Sequence, residues 1–140
     1  MKPSARRKAR RLALQAIYQW QISGGDITEI EAKFQQNCNP KKIDVAYFSE
    51  LITGVVNNVA QLDKEMQPIL DRPITEINPV ELAILRLAIY ELIYRLDVPY
   101  KVIINEALEL AKTFGAEKSF KYINGILDKA AKQQRKVEQA

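Results

Sequence analysis

The chain is 140 residues long and 47% apolar, enough for one domain with a real core. It has no histidine and a single cysteine, Cys38. That inventory excludes ordinary zinc sites, Ser-His-Asp and Cys-His catalytic sets and an internal disulfide. The net charge of +4 is unevenly spread: Lys2, Arg6, Arg7, Lys8, Arg10 and Arg11 place six cations and no carboxylate in the first eleven residues, leaving 15 basic against 17 acidic residues in the rest. The basic character belongs to one end, and an arm of that kind suits a polyanion, nucleic acid before an anionic membrane surface.

A membrane span is not expected, because Arg86, Glu91 and Arg95 cut the most apolar stretch. Nor is a signal peptide: Gln15, Gln19 and Gln21 interrupt the segment after the basic residues, and no small-residue cleavage site follows. The expected setting is the cytoplasm, with Cys38 a reduced thiol.

The whole chain reads as helix, so the expected fold is all-α, a single domain of about seven helices over residues 1–140. The first helix should run from near Ser4 to about Ile22. Ala9, Leu12, Ala13, Ala16, Ile17 and Trp20 form its apolar stripe; Arg7, Arg10, Arg11, Leu14 and Tyr18 lie around the other side. Gly24 and Gly25 end it. Asp26 and Glu29 resemble a capping box for a short second helix with Ile27, Ile30 and Phe34 inward. Residues 37–42, with Pro40, are loop.

Asp44 can cap a long third segment in which Phe48, Leu51, Ile52, Val55, Val59, Leu62, Met66 and Ile69 recur at threes and fours. Pro68 predicts a break or a new short helix between Asp63 and Leu70. After a connector containing Pro73, the residues Asn78, Pro79 and Glu81 give a strong start signal. The helix they open, to about Arg95, is apolar nearly all round and should be central. Another helix is expected from Tyr100 to Phe114, ended by Gly115. A last one should run from about Glu117 to Lys132, with Phe120, Ile123, Ile126, Leu127 and Ala130 inward and a polar tail after it. Gly125, inside that helix, predicts the close approach of another helix.

Catalytic chemistry finds little support. Gly24-Gly25 lacks the following Lys and Ser/Thr of a phosphate-cradling loop and reads as a turn. Glu106 and Glu109 are three apart, but without histidine to complete a ligand set they read as a solvated face. Cys38 stands between Asn37 and Asn39, with no cation or base to activate it. Neither an enzyme nor a bound cofactor or metal is expected, and binding is favoured.

Two surfaces carry that expectation. On the first helix, Arg7, Arg10 and Arg11 share a face, extended by Lys2, Arg6 and Lys8. Cations at a helix N-terminus oppose the dipole, a cost to stability that points to use elsewhere, and guanidiniums both pair with phosphates and stack on bases. On the last helix, Lys118, Lys121 and Tyr122 alternate with inward Phe120 and Ile123, giving an exposed edge of the type that binds single-stranded RNA.

The opening MKPSARRKARRLALQAIYQWQI, the stretch DVAYFSELITGV, and the run from VELAILRLAIYELIYRLDVPYKVIINEALELAKTFG to NGILDKA closely resemble the NusB family of bacterial transcription antitermination factors, from Met1 to about Ala131. The loop from Cys38 to Lys42 and the tail after Lys132 depart from the family pattern. The resemblance implies two packed helical subdomains that bind boxA RNA of ribosomal RNA leaders. It also implies a heterodimer with the ribosomal protein NusE, and loading onto elongating RNA polymerase with other Nus factors. By the same resemblance, Lys2, Arg6, Arg7 and Arg10 match the family's basic RNA-binding start, and Phe120 and Tyr122 match its region of RNA contact. Tyr18 and Glu81 match positions linked to the NusE-facing surface. Tyr122 stands where phenylalanine is common, keeping the stacking face and adding a hydroxyl. Lys118 replaces an acidic residue of some relatives, removing a repulsion of RNA.

Two other readings compete. The same helical domain occurs in certain RNA cytosine methyltransferases, but the chain has no room for a doubly wound cofactor domain and no Gly-rich turn for S-adenosylmethionine. A self-associating structural protein is the other, since some family members form homodimers when free.

Overall fold

The structure, a computed structural model, describes residues 3–139, apart from the side chains of Val137 and Gln139. Among these residues every regular element is helical. The chain divides between Asn58 and Val59 into two compact units.

The first unit contains α1 (Pro3–Ser23), α2 (Ile27–Gln35) and α3 (Val45–Asn57). α1 packs against both of the others. Alanines 5, 9, 13 and 16 let α3 come close, and Phe48, Leu51, Ile52 and Val55 fill the space between them. Gly24, at φ 67°, ends α1 in the left-handed region as its sequence position predicts. The side chain of Asp26 accepts from Thr28 N at 2.9 Å to start α2, and Asp44 accepts from Tyr47 N at 3.0 Å to start α3. Backbone N–H of Asp44 also donates to the Ala5 carbonyl at 3.2 Å, fixing the start of α3 beside the start of α1.

The buried arc of α1 is wider than the predicted stripe, because two helices cover it rather than one. Leu14 and Arg10 are both buried. Arg10, expected on an exposed face with Arg7 and Arg11, is only 3% exposed, with its guanidinium 5.4 Å from the centroid of the Tyr47 ring. The reading of three arginines on one solvent face is therefore corrected.

The long third segment carries a break that the sequence does not predict, ahead of the one at Pro68. α3 stops at Asn57 and α4 (Val59–Met66) begins after Asn58, whose φ of −117° and ψ of 15° are not helical. The Asn58 backbone N–H and side-chain amide both donate to the Gly54 carbonyl, at 3.1 and 2.8 Å, so one residue closes the last turn of α3 with two bonds to one acceptor. The break expected at Pro68 is present as well, as a single 3-10 turn, Gln67–Ile69.

The second unit is built on α5 (Pro79–Tyr94), which contacts α4, α6 (Tyr100–Phe114) and α7 (Ser119–Gln134). Asn78 Oδ1 accepts from Val80 N and Glu81 N, as the start signal requires. Every residue from Leu82 to Leu92 is buried, which accounts for the lack of a polar face. One of these is Arg86, whose Nε and Nη2 donate to the two carboxylate oxygens of Asp63 at 3.0 and 2.8 Å, tying α5 to α4.

Three further expectations are corrected in this unit. Gly125 is exposed, and a Cβ built there meets nothing within 4 Å, so no helix approaches it. The tight glycine is Gly115, where a Cβ would sit 2.8 Å from the Ala111 carbonyl oxygen and 2.9 Å from Ser119. Glu106 is buried rather than part of a solvated face; Glu109 is exposed and pairs with Lys112 at 3.6 Å. The polar tail is structured: α7 runs to Gln134, Arg135 is buried, and a final turn, α8 (Lys136–Gln139), follows.

Candidate nucleic-acid interface

In the first unit, Arg7, Lys8 and Arg11 are exposed on α1, whose first turn holds no acidic residue. Arg6 is half-buried. Its guanidinium lies 4.4 Å from the Tyr47 ring centroid, and its Nε is 3.7 Å from Asp44 Oδ2 with no hydrogen-bond partner. Tyr47 thus meets both Arg6 and Arg10, two cations held against one aromatic ring. Lys2 lies outside the described residues. Tyr18 is 39% exposed on the same helix.

In the second unit, Lys118 and Lys121 are exposed, and Phe120 and Tyr122 are half-buried. Phe120 and Tyr122 stand two positions apart on a helix and do not face the same way. They meet different cations: Lys112 Nζ is 5.2 Å from the Phe120 ring centroid, and the Arg72 guanidinium is 4.9 Å from that of Tyr122. Of the three residues expected to share an exposed edge, Lys118 and Lys121 are exposed, whereas Tyr122 is half-buried.

The connector before α5 adds two residues that sequence reasoning missed. Asp71 accepts from Arg72 Nε at 2.8 Å and Nη2 at 3.2 Å, and from the Tyr122 hydroxyl at 3.3 Å. The hydrogen bond from Arg72 holds the Asp71 carboxyl below the usual carboxylate range, while burial pushes the Tyr122 hydroxyl up, so it stays protonated as the donor. No local pattern marks Asp71 and Arg72, because their partner is 51 positions away. Glu81 is half-buried in the first turn of α5.

Burial pushes the Cys38 thiol up, the opposite of nucleophilic activation. Among the described residues, no group of three or more His, Cys, Asp or Glu side chains is placed to hold a metal ion, and no helix is long and apolar enough to cross a membrane.

Residues 7–132 match the model of the NusB family. The chain is 60% identical over 129 residues to the transcription antitermination protein NusB of Shewanella amazonensis, covering 92% of this chain and 96% of that protein. It is 57% identical over 136 residues to the protein of the same name from Proteus mirabilis, covering 97% and 99%. Among solved structures it is similar to T. maritima NusB, with a TM-score of 0.83 and 30% identity over 99% of both chains. A structure of the antitermination factors NusB and NusE in complex with double-stranded RNA matches with a TM-score of 0.85, at 24% identity over 94% of this chain and 99% of that one, a likeness of fold.

Proposed function

Because this chain belongs to the NusB family and is an antitermination factor rather than an enzyme, we propose that it binds boxA RNA as a heterodimer with the ribosomal protein NusE. In that form it joins the elongating RNA polymerase with other Nus factors and supports transcription of ribosomal RNA operons, in the cytoplasm. The observation that carries this reading is the cationic and aromatic edge at the start of α7, where Lys118 and Lys121 stand exposed beside Tyr122. Bases stack on the aromatic ring and phosphates pair with the cations, which is the chemistry of single-stranded RNA binding. Arg6, Arg7 and Lys2 of the N-terminal region supply further phosphate contacts. Buried Arg10 contributes by holding Tyr47, and through it the setting of Arg6. Phe120, backed by Lys112, shapes the α7 start.

Tyr18 and Glu81 are the proposed NusE contacts: an exposed amphipathic ring suited to an interface anchor, and a carboxylate suited to a partner cation. The test is a titration of the full chain with boxA RNA and with a scrambled RNA of equal length, with and without NusE. The expected result is preference for boxA and tighter binding with NusE present. Equal affinity for the two RNAs in both conditions would overturn the reading.

A further inference from the structure

Arg72 has no role in the reading above, yet its side chain is the group that lies over the Tyr122 ring. We propose that Arg72 is an RNA-contacting residue, and that Asp71, Arg72 and Tyr122 form one preorganised stacking platform for a base of single-stranded RNA. The proposal rests on the RNA-binding function proposed for this chain.

One carboxylate fixes both members of the stack. Asp71 takes two hydrogen bonds from the Arg72 fork and one from the Tyr122 hydroxyl, so the guanidinium is held 4.9 Å from the ring centroid. The backbone beneath is braced as well: Gln67 Nε2 donates to the Arg72 carbonyl at 3.0 Å, while Gln67 Oε1 accepts from Ile74 N at 3.1 Å. The conformational cost of ordering a long cationic side chain is therefore met before any ligand arrives.

The Arg72 side chain is nonetheless 43% exposed. Asp71 engages two of its five N–H donors, leaving three for a phosphate or a base edge. A guanidinium plane stacked on tyrosine extends the π surface outward, so a base that reaches Tyr122 also meets Arg72. A purely structural role fits poorly, because an exposed pair between adjacent residues contributes little to stability.

The test compares the full-length chain with Arg72→Gln and Arg72→Lys in titrations with boxA and scrambled single-stranded RNA across a range of salt, each variant first shown to melt like wild type. Arg72→Gln should bind about tenfold more weakly and flatten the log-log salt slope by about 0.7, the loss of one phosphate contact on a single strand. Arg72→Lys, which keeps the charge and loses the plane, should retain the slope but remain several-fold weaker. Wild-type affinity and slope in Arg72→Gln overturn the proposal, as does loss of NusE binding alone. Full recovery in Arg72→Lys overturns the stacking platform. Wild type that binds both RNAs alike sinks the boxA reading while the effect of Arg72 stays measurable, and wild type that binds neither sinks both.

Discussion

Arg135 Nε donates to the carbonyl of Leu92 at 2.8 Å, from a side chain 43 positions away in the chain and only 4% exposed. The same guanidinium reaches the carbonyls of Val98 at 2.9 Å, Glu91 at 3.2 Å and Arg95 at 2.9 Å. Those carbonyls belong to the last turn of α5 and the bend after it, where a helix leaves acceptors unsatisfied and its dipole is negative. A residue beyond the predicted end of the last helix thus closes the central helix of its unit. Arg135→Met, which keeps the aliphatic stem, should destabilise the protein by about 2–4 kcal/mol, since several buried acceptors lose a charged donor. Denaturant unfolding checks this; a loss under about 0.5 kcal/mol would contradict it.

Glu138 completes the arrangement and carries a pH dependence. Its Oε2 accepts from Tyr100 N at 2.8 Å, serving the start of α6, where Pro99 offers no capping side chain. Its Oε1 accepts from Arg135 Nη1 at 2.6 Å. The bond from Tyr100, then the one from Arg135, lower the Glu138 carboxyl below its ordinary value. A depressed carboxyl contributes stability that is fully present above the unfolded-state pKa and is lost as pH falls through the lowered folded-state value. Glu138→Gln should therefore melt below wild type at neutral pH, and the gap should shrink only as pH drops below the ordinary glutamate range. A gap of constant size down to strongly acidic pH would show that the carboxylate charge is not what holds the turn.

The legible parts of this chain are those whose causes are local. Asn78, Pro79 and Glu81 mark the start of α5 because a cap, a fixed φ and a first-turn carboxylate act within four residues. α5 is central, as a helix apolar nearly all round implies. The misread parts depend on distant partners. Periodicity counts arginine as polar and so places Arg10 outside, whereas Tyr47 from another helix gives its cation a ring to lie against. The tail looks like polar surface until Leu92, Val98 and Tyr100 are known to surround it. In the candidate site, helical spacing leads to exposed Lys118 and Lys121 but not to the half-buried setting of Tyr122, because Asp71 and Arg72 come from a connector that no motif distinguishes.

Gly125 offers a test of a site that packs against nothing. Its Cβ would enter open space, and its φ lies outside the left-handed region. Gly125→Ala should stabilise the protein by about 0.5–1 kcal/mol, through helix propensity and a less disordered unfolded chain. A lower melting temperature would mean that a close approach exists there after all.

Burial separates the two kinds of arginine on α1. Arg7 and Arg11 are exposed, so Arg7→Glu with Arg11→Glu should weaken RNA binding and flatten the log-log salt slope by about 1 to 1.5 if both meet phosphates. Arg10→Gln should leave that slope nearly unchanged and instead lower stability by about 1–3 kcal/mol, because a buried cation beside Tyr47 is lost. Salt-dependent titrations and thermal melts on the same samples distinguish the two. A slope change in a stable Arg10→Gln would place Arg10 among the phosphate contacts.

Neither proposed surface should be sufficient alone, because cations give charge with little discrimination and two lysines with one tyrosine give only a short stacking surface. NusE bound at Tyr18 and Glu81 should extend the RNA-binding surface and raise boxA affinity. Linkage then requires RNA to tighten NusE binding by the same factor, with a coupling of about 1–3 kcal/mol. Glu81→Lys reverses a charge on the proposed partner surface and sets a cation in the first turn of α5, where the dipole penalty is about 0.3–1 kcal/mol; Asn78 still caps that helix. A melt must first show the variant folded. NusE binding should then fall while RNA binding by the isolated protein persists or rises slightly, since one negative charge has been replaced by a positive one. Normal NusE binding by the folded variant would remove Glu81 from the interface, and wild-type boxA affinity indifferent to NusE would show that the two ligands are not coupled.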